Sequence, residues 1–408
     1  MIPPEKALYN VSVIERVKLD GFRTLNPLEL RGLRPFNLLL GPNSSGKSNF
    51  LRALQFVGLI ARGHELSWIE SYIENESYSP FSPLGGLRPW GSESWLFAYE
   101  IELRHQDNIL ICEGALDLNQ RAFVRENIKK KVIGVRGKWA YVVNKEGETL
   151  KVLSEDFKYE TRNDVRWSVF PVLKNSGIIS SYIRDIQELA DIIVLERNIL
   201  TKRRPSLLNI KKNLYETMDY AFHNPEGAIG IKRVFRELEC LDIIWDKQWG
   251  FTFMPEGLSG NPVSLDGLSD GALRLLWWLC WAYMEKRPSV FLIEEIDNGL
   301  NPMRFRKVVQ LALEMATRED SPTQFFVTTH NPYIVDEFTE AILEGIADII
   351  IFKREDGFRT SAVSLWNTLR TKKEVEKLFR EMKPASFGEA WLDGILESSL
   401  LFEKSRSE

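Results

Sequence analysis

The sequence is poor in cysteine and histidine. Its 408 residues include three cysteines and four histidines. Cys112, Cys240 and Cys280 lie far apart, without the spacing of a disulfide framework or a metal site, which predicts a reducing, cytoplasmic location. The scarcity of histidine also leaves no His-Asn-His nuclease spacing.

Long apolar runs are also missing. Residues 1–6 lack the apolar centre of a signal peptide. The most apolar stretch, residues 272–284, contains Arg274 and is too short to cross a bilayer, so a buried helix is expected there. The net charge of −4 gives no general attraction to nucleic acid, although a local basic patch is not excluded. With 44% hydrophobic residues, the chain is long enough to bury a sizeable core.

The order of apolar patterns favours an α/β protein. Residues 36–40 form an apolar run that stops at Gly41, as a buried strand does, and residues 49–60 follow with helical spacing. Short stretches between residues 95 and 153 are typical of antiparallel strands, with a turn predicted at 144–147. Residues 178–241 are predicted to be mostly helical, with breaks near Pro205 and Asn224. After Asp266 the order helix, strand, helix, strand predicts a parallel sheet.

The first motif is a phosphate-binding loop of the form G-x-x-x-x-G-K-S. Its residues are Gly41, Pro42, Asn43, Ser44, Ser45, Gly46, Lys47 and Ser48. A strand before and a helix after are the context this motif requires, which disfavours a chance glycine-rich turn. The glycines let backbone N–H groups curl around phosphates, and the helix N-terminus adds partial positive charge. Lys47 would reach the β- and γ-phosphates, and the Ser48 hydroxyl would bind Mg²⁺.

The second motif is a pair of carboxylates, Glu294 and Glu295, at the end of the apolar run 290–293. Successive strand residues project to opposite sides, so the two acids can take different roles. Glu294 would hold Mg²⁺, directly or through water, and Glu295 would orient the attacking water and accept its proton. Taken alone, acidic residues after a strand also fit a solvated turn.

Two further motifs are ambiguous when taken singly. Ser269 and Gly271 stand at the start of the apolar helix predicted from residue 272, where Ser269 also fits a simple N-cap. His330 ends the strand predicted at 324–329, at the sheet edge where α/β proteins bind ligands. It could contact a γ-phosphate or be a structural histidine.

In this order the four motifs have the layout of ABC-type ATPases. The sequence resembles the stand-alone ATPases related to SMC, RecF, RecN and the overcoming-lysogenisation-defect proteins. Many of these are bacterial AAA family ATPases of anti-phage operons. The resemblance is carried by residues 41–49, 268–274, 294–302 and 328–332, by Phe22-Arg23 and by residues 391–394. It is strong towards the ends of the chain and weak between residues 115 and 250.

The resemblance implies roles for individual residues. Ser269 and Gly271 would cap the γ-phosphate of an ATP held by a partner subunit, and the segment from Asp297 to Pro302 would be the D-loop that crosses the dimer interface. Residues implied to contact the nucleotide within the same head are Arg23, Asn43, Ser44, Ser45 and Asn49.

The chain also departs from the family pattern. The usual Glu-Glu-Pro-Glu-Asn-Gly-Leu-His-Pro carries Ile296, Asp297 and Asn301 here, so any role of the histidine is lost at position 301. The Q-loop glutamine has no clear counterpart, because Gln55 lies too early in the chain and Gln106 is only a candidate.

Together these features predict an α/β fold built as an ABC-type ATPase head, with a mixed sheet around the P-loop, an antiparallel β region and a helical insertion. The expected units are a first lobe at 1–160, a helical insertion at 161–245 and a second lobe at 246–408. The insertion is too short for the long coiled coil of SMC proteins. Basic runs at 129–131, 202–204 and 211–212 would either touch phosphates or form a solvated face.

The function predicted from the sequence is an ATP- and Mg²⁺-dependent ATPase that acts as a dimerisation switch in anti-phage defence or DNA transactions. Expected partners are a second copy of the chain and a separate effector such as a nuclease or toxin, with DNA as a further candidate and no membrane. The residues after His330 lack the D-x-D cluster of a Toprim nuclease.

Two alternatives stay open. An assembly scaffold with negligible turnover is disfavoured by the intact Glu295. A transporter subunit is disfavoured by the large insertion, by Asn49, and by the missing glutamine after residues 268–271.

Overall fold

A computed structural model of the chain describes residues 13–61, 64, 66, 69, 94–105, 108–120, 122–132, 139–146, 148–154, 158–162, 195–197, 207–246, 250–255, 262–284, 287–318, 322–355, 358–367 and 387–392. In chain order, the strands are β1 (Val13–Asp20), β2 (Leu28–Arg31), β3 (Phe36–Leu40), β4 (Leu96–His105), β5 (Asn108–Asp117), β6 (Ala122–Val132), β7 (Trp139–Glu146), β8 (Thr149–Ser154), β9 (Lys158–Arg162), β10 (Leu195–Arg197), β11 (Leu241–Asp246), β12 (Gly250–Pro255), β13 (Val263–Ser264), β14 (Val290–Ile293), β15 (Gln324–Thr328), β16 (Ala347–Glu355) and β17 (Arg359–Ser364). The helices are α1 (Lys47–Ala61), α2 (Leu207–Phe222), α3 (Pro225–Glu239), α4 (Asp270–Tyr283), α5 (Pro302–Thr317), α6 (Pro332–Asp336), α7 (Thr339–Leu343) and α8 (Phe387–Leu392).

A six-stranded sheet in the order β10-β14-β15-β3-β16-β17 forms the centre of the fold. Its first five strands are parallel, and β17 runs antiparallel at the edge. The apolar strands β3, β14 and β15 are buried at every position, as expected for parallel strands covered on both faces. Because these strands are parallel, the segments that follow them lie along one edge of the sheet.

Helix α1 lies between the central sheet and a second sheet. Phe50 of α1 packs against Phe326 and Phe352 of the central sheet, with ring centroids 5.9 and 5.6 Å away. One and a half turns later, Phe56 packs against Phe97 at 5.6 Å. Phe97 belongs to β4 in the eight-stranded antiparallel sheet β2-β1-β4-β5-β6-β7-β8-β9. The apolar positions of α1 therefore hold the two sheets together.

Helix α4 covers the opposite face of the central sheet. Its Trp278 stacks on Phe325 of β15 at 5.9 Å, and its Trp277 contacts Phe291 of β14 at 5.6 Å. Helices α2 and α3 and the three-stranded sheet β11-β12-β13 join the same core. The apolar stretch that the sequence marked at 272–284 is thus a buried helix, as predicted. None of the helices in the described part of the chain is long and apolar enough to cross a membrane.

The predicted combination of a mixed sheet around the P-loop with an antiparallel β region is present. The predicted break between helices at Asn224 is confirmed, since Asn224 caps α3 and Pro225 starts it. The turn predicted at 144–147 comes later in the chain, because β7 continues through Glu146, which pairs with Thr149 of β8. Lys145 is fully buried there, opposite the buried Glu126 on β6. A buried carboxylate across the strand gives this lysine a partner that the local sequence does not reveal.

The predicted unit boundaries at 160 and 245 stay predictions. Strand β10 lies inside the predicted helical insertion and pairs with β14 in the central sheet. Of the basic runs, residues 202–204 lie outside the described residues, as do the side chains of residues 130, 131, 211 and 212. Lys129 donates to Glu113 at 2.8 Å, so its charge is paired within the antiparallel sheet.

Candidate active site

The loop between β3 and α1 requires glycine at two positions. Gly41 and Gly46 have φ angles of 134° and 108°, a range that L side chains rarely adopt. A Cβ at Gly41 would overlap the carbonyl oxygen of Phe352, and one at Gly46 would overlap the side chain of Thr360. Ser44 also has a positive φ of 64°. Backbone turned in this way presents N–H groups towards an anion, as a phosphate-binding loop does.

Lys47 lies over this loop. It is the first residue of α1 and is only 6% exposed. Its Nζ donates hydrogen bonds to the carbonyls of Gly41 at 2.6 Å and Pro42 at 2.9 Å. An ammonium group has three donors, so phosphate oxygens can become its acceptors beside the same loop. The exposed residues of the loop and the first helical turn are Pro42, Asn43, Ser44 and Ser48.

A chain of hydrogen bonds supports the loop from behind. Asn49 Nδ2 donates to Thr24 Oγ1 at 2.9 Å, the hydroxyls of Thr24 and Thr360 lie 2.8 Å apart, and Thr360 Oγ1 donates to the Ser45 carbonyl at 3.0 Å. The Thr360 hydroxyl has one proton, which it donates to the Ser45 carbonyl. Thr24 is therefore the donor in the hydrogen bond between the two hydroxyls. Arg23 Nη1 donates to Asn49 Oδ1 at 3.4 Å, which places the predicted arginine beside this chain. Sequence reasoning missed both threonines, because no motif marks them.

Two carboxylates, Glu294 and Glu295, follow β14. Glu294 is partly buried, and Glu295 has a left-handed φ of 53°. The backbone N–H of Glu295 donates to Thr328 Oγ1 at 2.9 Å, which ties it to the end of the neighbouring strand β15. Asn298 Nδ2 donates to Glu295 Oε2 at 3.2 Å. The Glu295 carboxylate is therefore held by a residue of the predicted D-loop.

The oxygen donors at this edge suit a hard cation. Ser48 offers a hydroxyl and Glu294 a carboxylate, and Mg²⁺ binds through one or two carboxylates together with substrate phosphates and water. Within the described residues no group of three or more His, Cys, Asp or Glu side chains could hold a metal ion. A Mg²⁺ ion here would therefore depend on the nucleotide for part of its coordination.

The D-loop is fastened to the segment that carries His330. Thr329 Oγ1 donates to Asp297 Oδ1 at 2.9 Å, and the Asn331 N–H donates to Thr329 Oγ1 at 3.1 Å. His330, between these two residues, is exposed. Asn301, which stands where the family usually has histidine, is the N-cap of α5 and accepts a backbone N–H three residues on at 2.9 Å. The departure at 301 thus stabilises a helix start.

The Ser-x-Gly motif begins α4 beside the D-loop. Ser269 is the N-cap, and its Oγ accepts the Ala272 N–H at 3.2 Å, so the N-cap interpretation is correct. Ser269 is also exposed. A Cβ on Gly271 would lie 2.5 Å from the carbonyl oxygen of Gly299 and 2.5 Å from a guanidinium nitrogen of Arg304. Only glycine lets this helix start approach the D-loop so closely.

The predicted site residues thus fall into two groups. The P-loop, the two carboxylates and His330 follow the neighbouring parallel strands β3, β14 and β15, and so lie along one sheet edge. Ser269 and Gly271 lie with the D-loop. The roles of these residues in binding and catalysis stay predictions. Gln55 is buried inside α1, and Gln106 and residues 393–394 lie outside the described part of the chain.

Comparison with known proteins gives similar sequences and architectures. The chain is 20% identical over 354 residues to a Helicobacter pylori (strain ATCC 700392 / 26695) protein named ATP/GTP phosphatase, across 81% of this chain and 89% of that protein. The SMC head domain of Pyrococcus furiosus, solved with an extended coiled coil and bound to the C-terminal domain of ScpA, has a TM-score of 0.47 at 15% identity. That match covers 91% of this chain and 100% of the other. The SMC head domain of Thermotoga maritima has a TM-score of 0.38 at 16% identity, covering 86% of this chain and 98% of the other.

One family model spans the four motifs of the candidate site. It matches residues 36–336, from the first residue of β3 to the last residue of α6. The matched range contains the P-loop, the Ser-x-Gly helix start, both carboxylates and His330. The match confirms the prediction of a stand-alone AAA family ATPase, and so of an ATP hydrolase. The chain belongs to the family described as "AAA domain, putative AbiEii toxin, Type IV TA system".

Proposed function

We propose that this protein is an ATP-driven dimerisation switch. The observation that carries the proposal is the exposed Ser269 beside an exposed D-loop turn at Asn298 and Gly299. The P-loop is built from other elements, so a complete site would combine the P-loop of one head with Ser269 of a second. Only ATP offers a γ-phosphate to that serine, so ATP would favour the dimer and hydrolysis would release it.

Within one head, different residues would bind the phosphates and activate the attacking water. The P-loop N–H groups and Lys47 bind the phosphates and stabilise the charge that develops on them. Glu295 orients a water and accepts its proton as the water oxygen bonds to the γ-phosphorus and the bond to the ADP oxygen breaks. Asn298 holds the Glu295 carboxylate, and His330, which is exposed, would contact the γ-phosphate. When bound through Ser48 and Glu294, Mg²⁺ would neutralise phosphate charge.

The Glu295→Gln variant tests the switch. Removing the general base should lower turnover by about 100-fold or more while leaving ATP bound. The variant should therefore accumulate as a dimer with ATP, but not with ADP, when light scattering after size exclusion measures its mass at micromolar protein. Lys47→Ala is the matched control and should stay monomeric, because it lacks the phosphate-binding ammonium. A Glu295→Gln protein that binds a fluorescent ATP analogue yet stays monomeric would contradict the shared site.

We also propose that the switch acts in the bacterial cytoplasm, in defence against foreign DNA, through a separate effector such as a nuclease or toxin. The description of the family as related to a toxin system supports this role. The test is a pull-down of Glu295→Gln with ATP from the native cell, using Lys47→Ala as the control. Each pull-down is done with and without nuclease treatment, so that proteins held only through DNA are told apart from direct partners. Specific recovery of a nuclease, a toxin or DNA supports the role, whereas recovery of membrane permease subunits would support a transporter instead.

A further inference from the structure

Arg274 is a charged residue in the most apolar helix of the described structure. It lies on α4 one turn after Gly271, and it is only 9% exposed. Its neighbours along the helix, residues 272–280, are all buried. Burying a guanidinium without acidic or polar partners costs several kcal/mol, so a residue at this position needs carboxylates nearby.

Three carboxylates act on Arg274. Burial lowers the pKa of Arg274, and this shift is opposed by the negative charges of Asp270, one turn earlier on α4, and of Glu295 and Asp297 in the catalytic segment of the same head. The Nε and Cδ atoms of Arg274 lie 3.3 and 3.5 Å from the position a Cβ would take on Gly299, so the side chain lies against the D-loop turn. Arg274 therefore contacts the D-loop turn, within electrostatic range of Glu295, from the helix that begins with Ser269.

The same turn is in contact with the catalytic carboxylate. Asn298, next to Gly299, donates to Glu295 Oε2 at 3.2 Å. The Gly299 carbonyl also lies close to Gly271, with 2.5 Å to the position of a Cβ there. A displacement of the start of α4 would thus shift the D-loop turn, Arg274 and the surroundings of Glu295 together.

We propose that Arg274 is a positioning residue that holds the Glu295 carboxylate and the D-loop of its own head. Through it, the helix whose Ser269 caps the partner's ATP also sets the geometry of hydrolysis in its own head. This inference rests on the proposed shared site. It makes the two sites of a dimer interdependent, since closing one site on Ser269 acts on the Glu295 of the other.

The test uses mixed dimers with one working site. Lys47→Ala protein supplies Ser269 but cannot hold ATP. Ser269→Asp protein holds ATP and keeps a capping side chain on α4, but its negative charge repels the γ-phosphate of the partner's ATP. Each should be inactive alone, and their mixture should recover part of the wild-type ATPase rate. Arg274→Gln is then added to either protein in turn. We expect a loss of about tenfold or more when it is in the ATP-holding head, because small displacements of a catalytic group carry penalties of this size.

When Arg274→Gln is placed in the head that supplies Ser269, the ATPase rate should fall by less than about threefold. This is much less than the loss expected from a misplaced catalytic group. Equal losses in both heads would overturn the inference and assign Arg274 to the shape of α4 alone. No loss in the ATP-holding head would overturn it as well. An inactive mixture of the two parent proteins, with both of them folded, would instead contradict the shared site itself.

Two controls keep a folding defect apart from the proposed role. Arg274→Gln should bind a fluorescent ATP analogue with a Kd within about twofold of the wild type, since the P-loop is untouched, so the loss should lie in kcat. Arg274→Lys retains the charge without the planar fork and should recover part of the rate in the same head. If Arg274→Gln does not fold, Arg274→Lys alone is compared in the two heads. An equal effect in both heads overturns the inference there too.

Discussion

At the scale of single residues, the site depends on a few backbone positions held in unfavourable conformations. Glu295 and Ser44 have positive φ angles of 53° and 64°, which cost a residue with a side chain about 1 kcal/mol each. Two hydrogen bonds keep Glu295 in this conformation. Its backbone N–H donates to Thr328 Oγ1, and Asn298 donates to its carboxylate. The surrounding structure therefore fixes the carboxylate before any nucleotide arrives, which limits the reorganisation needed for catalysis.

Thr360 tests how far the P-loop depends on support from behind. Thr360→Val keeps the shape against Gly46 but removes the hydrogen bond to the Ser45 carbonyl, which is buried. An unsatisfied buried group costs about 1–3 kcal/mol, so we expect a Kd for ATP about tenfold higher. Titration with a fluorescent ATP analogue measures this change.

Thr360→Ser is the matched control. It retains the hydroxyl and should bind ATP nearly as the wild type does. If Thr360→Val binds ATP as tightly as Thr360→Ser, the hydrogen-bond chain through Thr24 does not organise the loop.

At the scale of elements, prediction succeeded where the signal is local. The apolar runs 36–40 and 290–293 end at the residues where β3 and β14 end. The two glycines of the P-loop motif occupy the positions where the backbone has a positive φ angle that favours glycine. Thr24 and Thr360 could not be found in this way, because they reach the P-loop only through hydrogen bonds between segments far apart in the chain. The later position of the turn predicted at 144–147 has a similar cause, since Lys145 stays in β7 opposite Glu126 on another strand.

Helices α3 and α5 are joined by one strong ion pair. Arg304 Nη2 donates to Glu239 Oε2 at 2.6 Å, Arg304 Nε lies 2.5 Å from Glu239 Oε1, and the Glu239 side chain is only 6% exposed. Arg304→Met would leave a buried carboxylate without its partner, so we expect the free energy of unfolding to fall by about 3 kcal/mol. Urea unfolding followed by circular dichroism measures the loss.

The same helix supplies the control. Arg306 pairs with Glu337 at 2.8 Å, but its side chain is 73% exposed. Solvent screens such a pair, so Arg306→Met should leave the unfolding midpoint unchanged. A second check is Glu239→Gln combined with Arg304→Met, whose joint loss should be smaller than the sum of the two single losses. If Arg304→Met and Arg306→Met lower the free energy of unfolding equally, the ion pair between Arg304 and Glu239 does not stabilise the contact between α3 and α5.

At the scale of the whole molecule, the central sheet is shared by two apolar cores. One core lies on the α4 side of the sheet, and the other lies between the sheet, α1 and the antiparallel sheet. Adjacent residues of a buried strand point to opposite faces, so Phe325 belongs to the first core and Phe326 to the second. Because β3, β14, β15 and β16 each contribute to both cores, neither core can lose its packing without disturbing the sheet that the other needs.

This arrangement predicts that the described part of the chain unfolds as one unit. Phe325 and Phe326 are both fully buried, so replacing either with alanine should cost about 3–5 kcal/mol. Hydrogen exchange with mass spectrometry over a urea series follows α1 and α4 separately. If the sheet couples the cores, Phe326→Ala should lower the protection of α4 as much as that of α1, and Phe325→Ala should do the same in reverse. Loss of protection confined to α1 in Phe326→Ala would show two independent cores, and movements at α4 would then have no packed route to the P-loop.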